Sequence, residues 1–370
     1  MFEHATVFTI SIDVIILTLL YLCMQPVLIK NETLSAPRLR FSVFLIVLFS
    51  VMATWSGDWY NYQDIFENLR ANPGATTHME GIYEFLIRYV CPFYVLFRLL
   101  VWGAALWLFG FTIKRLGVES NYAWCILGLG FLPFFAYARV SIVPAMLMAG
   151  ATLCLVPFYR RKGLSLMLGI LLLGMSLFFH KTAFFGLAVM LFSLFVPQTT
   201  KNSWFYFLLG FLIASVALRY LFQSFLALDF EDEVAISEFV NKTKGTTSSI
   251  VYLNLSIGPL ITALLEHIPY FLTAYLAFKI QNQYEAPKAL MTIIKFEFYM
   301  VIFSMLFLLD LGTSTSLLYG RFLRFSILPG VITLAYAREY GLFKKLTTTT
   351  IVIAVAGSFY QVIYEMYCAF

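Results

Sequence analysis

Arg139, Lys181, Arg321 and Arg324 stand at the ends of apolar segments, where a charge is costly and seldom kept without a partner. A basic residue at the centre of a membrane helix costs about 2.5–3.5 kcal/mol on insertion scales. Several cations turned toward one aqueous face call for an anion there. Phosphate is the natural one, because a guanidinium fork matches its oxygens two at a time. Arg321 and Arg324, three residues apart in Tyr319-Gly-Arg-Phe-Leu-Arg-Phe325, project from one helical face. Asp310, across the Gly312-Thr-Ser-Thr-Ser316 stretch, is their ordinary partner, and a phosphate ligand is the functional one. For Arg139, in Phe134-Phe-Ala-Tyr-Ala-Arg-Val-Ser141, the ordinary reading is snorkelling to the interface.

Proton chemistry has three candidates near these cations. His180, beside Lys181 and Thr182 at a segment end, is kept neutral by nearby positive charge and able to accept a proton. Asp58 lies in Trp55-Ser-Gly-Asp-Trp-Tyr-Asn-Tyr62, where it can cap a following helix or line a cavity with Tyr62 one turn on. Glu80, in Glu80-Gly-Ile-Tyr-Glu-Phe-Leu-Ile-Arg88, has no local partner, unlike Glu84, which pairs with Arg88 at i, i+4. A first-turn carboxylate favoured by the helix dipole is the plain reading of Glu80. Asp13, Glu266 and His267 are weaker candidates inside apolar stretches.

The elements that must position these residues are membrane helices. The chain has 370 residues, 61% hydrophobic and 12% charged, with a mean hydropathy of +0.83. A soluble domain carries about 25% charged residues, so lipid must cover the missing polar surface. A net charge of +5 gives no case for nucleic acid. Five scattered cysteines without a C-x-x-C pair offer neither a zinc site nor a disulfide framework.

Twelve apolar stretches read as spans, near 5–29, 41–55, 92–113, 121–137, 141–158, 164–179, 183–197, 203–222, 256–278, 289–309, 322–338 and 347–367. The first reads as a retained helix rather than a signal peptide. Alternate short loops hold Lys30, Arg38, Arg40, Lys114, Arg115, Arg160, Arg161, Lys162, Lys201, Lys279, Lys288, Arg338, Lys344 and Lys345, which marks their side as cytoplasmic. An even span count puts both termini outside. Lys295 is expected to snorkel to the cytoplasmic face, and Arg98 falls with the outer residues. Two outer loops are long, about 56–91 and 223–255, and residues 1–370 form one membrane domain.

Taken in order, Gly57-Asp58-x-Tyr60-x-Tyr62 with Phe66, Glu80-Gly81-x-Tyr83, Arg139 ahead of a small-residue-rich helix, and Phe179-His180-Lys181-Thr182-Ala183 resemble the EpsG family. This is a branch of the Wzy-type polymerases of bacterial exopolysaccharide, capsule and O-antigen synthesis. The resemblance covers about residues 50–190 and, more loosely, the spans through Arg324; Thr182 stands where serine is usual. It implies an all-α membrane glycosyltransferase of GT-C-like architecture in the bacterial cytoplasmic membrane. Such an enzyme moves a growing glycan from undecaprenyl pyrophosphate to an incoming lipid-linked repeat unit on the outer side. On that reading Arg139, Arg321 and Arg324 bind pyrophosphate with Lys181 as helper. His180, Asp58 and Glu80 are candidates for general base or acceptor positioning, and Tyr60 and Tyr62 contact sugar. Partners are lipid-linked glycans, membrane lipid and a chain-length regulator protein. No D-x-D motif or Gly-rich nucleotide loop occurs, so no metal, nucleotide sugar or other cofactor is expected. A lipid-linked oligosaccharide flippase, a membrane O-acyltransferase and a glycan ligase are the rival readings.

Overall fold

The computed structural model describes residues 7–72, 80–180, 182–196, 257–308 and 315–368, with backbone alone for 7–8, 57–58, 257–266, 306–308, 315–319 and 368. All regular structure among the described residues is helical. In chain order the helices are α1 (Val7–Lys30), α2 (Ala36–Met52), α3 (Gly57–Ala71), α4 (Gly81–Phe85), α5 (Tyr94–Leu116), α6 (Ser120–Gly130), α7 (Ala138–Leu155), α8 (Lys162–Phe179) and α9 (Ala183–Phe195). They continue as α10 (Ile257–Gln283), α11 (Lys288–Leu308), α12 (Thr315–Phe325), α13 (Ile327–Glu339) and α14 (Lys344–Cys368). A π turn (Leu86–Val90) follows α4, and a 3₁₀ turn (Leu132–Ala136) precedes α7. Among the described residues five helices, α1, α5, α7, α8 and α14, are long and apolar enough to cross a membrane. The expected span 203–222 and outer loop 223–255 lie outside the described residues.

Two expected spans are interrupted, each near a proline. The stretch 121–137 is α6 and the 3₁₀ turn, because Pro133 has no N–H to continue the ladder beyond Gly130. The stretch 322–338 divides at Ser326. Pro329 cannot donate to the carbonyl four residues before it, and the Ser326 hydroxyl instead bonds the Leu323 carbonyl at 2.6 Å. Expected span 41–55 ends at Met52, and a corner leads into α3.

α7 and α8 set the depth of the functional residues. Both are 18 residues long, about 27 Å at 1.5 Å per residue, and they run antiparallel through the turn at 156–161. Arg139 at the start of α7 and His180 just after α8 therefore return to one level. The helices meet through glycines: a Cβ on Gly150 would lie 2.9 Å from the Gly169 carbonyl oxygen, and one on Gly169 2.6 Å from Cys154 Sγ. Only small residues allow backbones so close. α7 is largely wrapped by protein, whereas α8 turns Leu166, Met167, Ile170, Leu171 and Phe178 outward, the apolar face expected toward lipid.

The loops segregate by end. At the basic end, the Arg338 guanidinium donates to the Leu28 carbonyl at 3.4 Å and to Asn31 Oδ1, and the Glu119 amide donates to Glu339 at 3.0 Å. Arg115 sits over the Phe158 ring at 4.7 Å. Lys295 reaches the same end, donating to the Val196 carbonyl just past α9 at 2.6 Å. The residues around Arg139 and His180 gather at the opposite end. Arg98 lies toward that end too, as expected, in the first turns of α5. Its side chain is fully buried within the bundle rather than at an outer surface.

Candidate functional site

The site is assembled at the start of α7. Arg139 Nη2 donates to Glu80 Oε2 at 2.6 Å, with both side chains largely buried. Glu80, without a local partner, thus has a distant one. The Glu80 backbone caps α4, accepting from the Tyr83 amide at 2.9 Å, but its carboxylate makes no cap bond and serves Arg139 instead. Two rings flank the guanidinium, Tyr62 at 5.3 Å and Tyr83 at 5.6 Å from Cζ. The Tyr83 hydroxyl donates to the Arg139 carbonyl at 3.0 Å, and its ring packs edge-on against Phe97 and Phe179. Arg139 therefore has its plane, its backbone and one nitrogen fixed, while its buried Nε makes no hydrogen bond among the described residues.

His180 completes the cluster. The chain leaves α8 in an extended conformation at His180, and a tight turn through the Ala183 amide, 2.8 Å from the His180 carbonyl, starts α9. Nδ1 of His180 receives the Thr182 backbone amide at 3.1 Å and lies 2.7 Å from the Thr182 hydroxyl. An amide can only donate, so Nδ1 carries no proton, and the neutral ring holds its proton on Nε2. Glu80 Oε1 is 4.0 Å from the same Nδ1. Burial first, then the guanidinium groups of Arg139 and Arg321, bring the His180 pKa down to about 4 against the opposing pull of Glu80. At neutral pH the ring is an uncharged donor through Nε2. Of the two parts expected for it, general base or acceptor positioning, a donor of this kind suits the second.

Burial raises the Glu80 pKa, but Arg139 and then His180 outweigh it and hold the carboxyl below its ordinary value. Glu80 is accordingly a fixed anion and a weak base. Arg324 lies against the face of Tyr137, Cζ 3.3 Å from the ring centroid, two residues before Arg139. Arg321 stands close enough to His180 to bias its charge. α12 is seated through Phe322 and Phe325: Phe322 meets Phe185 and Phe303, and Phe325 lies where a Cβ on Gly186 would approach within 2.9 Å.

The structure therefore brings together Glu80, Arg139, His180, Arg321, Arg324 and Tyr62. Tyr60 is not among them. It is buried against Trp59, beside Thr54 and Asp13, and cannot present its ring to a sugar at this cluster. Lys181, Asp310 and the side chain of Asp58 lie outside the described residues; α3 starts at Gly57, so Asp58 is within the helix rather than ahead of it. The ring supports Tyr83 and Tyr137 were missed as site residues, although each lies two or three positions from a charged residue already singled out. An open cleft lined by Phe131, Pro133, Tyr270, Ser358 and Gln361 contains none of these residues. Among the described residues no group of His, Cys, Asp and Glu could hold a metal ion.

No protein-family model matches this chain, and neither a curated protein nor a solved structure matches it. What the cluster can do rests on its own geometry.

Proposed function

We propose that this chain is a multi-pass glycosyltransferase of the bacterial cytoplasmic membrane, a polymerase of undecaprenyl-pyrophosphate-linked repeat units of the EpsG and Wzy type. Twelve spans and a GT-C-like arrangement belong to this reading. The observation that supports it is the buried Arg139–Glu80 pair with His180 beside it and Arg321 near enough to bias that ring, at the end of the bundle away from the basic loops. A guanidinium fork held between two tyrosine rings there suits the oxygens of a diphosphate.

The chemistry follows from which groups are strong and which are weak. The bond from the sugar anomeric carbon to the diphosphate oxygen breaks, and a bond to the acceptor hydroxyl forms. Negative charge grows on the leaving diphosphate, where preorganised guanidinium groups stabilise it most. His180 donates from Nε2 to a phosphate or acceptor oxygen. Glu80, depressed in basicity, accepts the hydroxyl proton only late, when attack has made that oxygen acidic. Leaving-group stabilisation, rather than a strong base, carries the reaction. Tyr62 offers a ring edge to sugar beside Arg139.

A flippase is the second reading, and one observation favours it. Glu297, inside α11, is buried beside Gly330 of α13 and Thr273 of α10, and both of those helices contain a proline, as interrupted helices in transporters often do. The lipid-linked glycan pool of a strain lacking this protein separates the readings. Single repeat units displayed on the outer side are expected. Units retained on the inner side would favour the flippase, and full-length chains lacking acyl groups would favour the acyltransferase.

A further inference from the structure

Among the described residues Arg98 is the largest charged side chain fully enclosed by the protein, and the proposed chemistry gives it no role. Its Nη2 donates to the Ser50 carbonyl at 2.6 Å and to the Phe135 carbonyl at 3.0 Å, and its Nη1 lies 3.4 Å from the Tyr94 hydroxyl. Ser50 is in the last turn of α2, and Phe135 is in the last turn of the 3₁₀ segment. Last-turn carbonyls lack helical partners and carry the negative end of the helix dipole, so a buried cation suits both.

The corner after α2 is held a second time. Ala53 has φ +20°, a value side chains rarely adopt, and such a residue persists only where its surroundings over-determine it. The next residue, Thr54, donates its hydroxyl to Asp13 Oδ2 on α1 at 2.5 Å, and Trp59 Nε1 donates to the Val51 carbonyl at 3.2 Å. Asp13 is fully buried and within electrostatic reach of Arg98. The corner then runs straight into α3, which carries Tyr62. On the other side the 3₁₀ turn runs straight into Tyr137, Ala138 and Arg139. The two carbonyls that Arg98 joins thus begin the two segments that meet again at the Arg139 guanidinium, one bringing the Tyr62 ring and the other the charge itself.

We propose that Arg98 and Asp13 act as positioning residues, a buried clamp that fixes the α2–α3 corner against the 3₁₀ turn and so sets Arg139, Tyr62 and Tyr137 in register for an anionic ligand. This rests on the cluster being the anion site. A lysine at position 98 keeps the charge but is a single point donor, whereas the guanidinium sends two bonds from one nitrogen while its other reaches Tyr94.

The test uses the full chain in lipid nanodiscs, as Arg98→Lys and Thr54→Val. Thr54→Val removes the hydroxyl bond to Asp13 with little change of shape, and it decides the matter if Arg98→Lys does not fold. Hydrogen exchange is expected to rise in 53–62 and 132–139 while α10 and α14 keep wild-type protection. Glycan transfer is expected to fall about 10- to 100-fold in kcat, as for a small misplacement of groups that must stay aligned, with the acceptor KM unchanged. Unchanged transfer despite faster exchange in those segments overturns the proposal, as does exchange rising equally throughout the bundle. If the wild-type chain transfers no glycan, the polymerase reading fails instead, and the clamp is judged on exchange alone. A rise confined to the two segments then upholds it, and no rise there sinks it.

Discussion

Arg98 and Arg139 are the same residue type, both expected on the outer side, and the structure treats them in opposite ways. Arg98 is fully enclosed, and one of its nitrogens joins two backbone carbonyls while another reaches the Tyr94 hydroxyl. Arg139 gives one nitrogen to a carboxylate and lies between two tyrosine rings. Backbone carbonyls cannot leave, so the first arrangement is a fixed joint. A carboxylate and two rings orient a cation without exhausting it, so the second can still take a ligand. The difference teaches that the partner, more than the depth, tells a structural arginine from a binding one.

Removing Arg139 should break that contrast most sharply. Arg139→Met leaves Glu80 as an uncompensated buried anion and is expected to cost about 3–5 kcal/mol of stability, the usual result of breaking a buried pair from one side. Adding Glu80→Gln should recover much of that loss in thermal unfolding, a coupling measured by a double-mutant cycle. A comparable rescue of Arg98→Met is not expected, because its two shortest hydrogen bonds go to backbone carbonyls. Additive behaviour of the Arg139 and Glu80 changes would remove the basis for treating them as one unit.

Packing beneath the site comes next. Gly169→Ala should push α7 from α8, since its methyl would meet Cys154 Sγ and the Gly150 carbonyl within 3 Å. Overpacking of this kind costs about 1–3 kcal/mol and should lower activity along with melting temperature. Gly174→Ala, where a Cβ meets nothing within 4 Å, is the control expected to leave both unchanged.

A smaller effect is expected from acid. The His180 pKa in the folded chain, about 4, lies below its ordinary 6.5, so between those values the unfolded chain binds the extra proton. Stability linked to His180 is therefore complete above about pH 6.5 and falls as the pH drops toward 4. The depressed Glu80 adds loss in the same direction, below its ordinary 4.5. His180→Gln should flatten unfolding between pH 6.5 and 4 while leaving the Glu80 limb in place. A wild-type slope that survives in His180→Gln would contradict the assigned neutral ring. Smallest of all, Tyr137→Leu removes the ring against Arg324 and should weaken anion binding by about 0.5–2 kcal/mol, read by titration calorimetry.

Much of the architecture was legible because apolar length is a strong signal: α1, α5, α7 and α8 fall within a few residues of the expected stretches. The interruptions at Pro133 and Pro329 were written in the chain too, but hydropathy alone runs straight across them. The cluster was half legible. Arg139, His180, Glu80, Arg321 and Arg324 were singled out by charge in the wrong place, but the Glu80–Arg139 bond joins residues 59 positions apart. No local spacing reveals such a pair. The His180 tautomer was likewise hidden, since it depends on the turn that aims the Thr182 amide at Nδ1. Tyr60 and Tyr62 look equivalent in sequence, yet two residues on a helix are about 200° apart, and only Tyr62 reaches Arg139.

The claim beneath all of this is that the Arg139 cluster grips a diphosphate. Titrating undecaprenyl pyrophosphate into the full chain in nanodiscs, wild type against Arg139→Lys, tests it most directly. Saturable binding that weakens at least about tenfold in the lysine variant is predicted, because a point charge cannot replace the fork. Equal affinity in the two proteins, each melting normally, would contradict it.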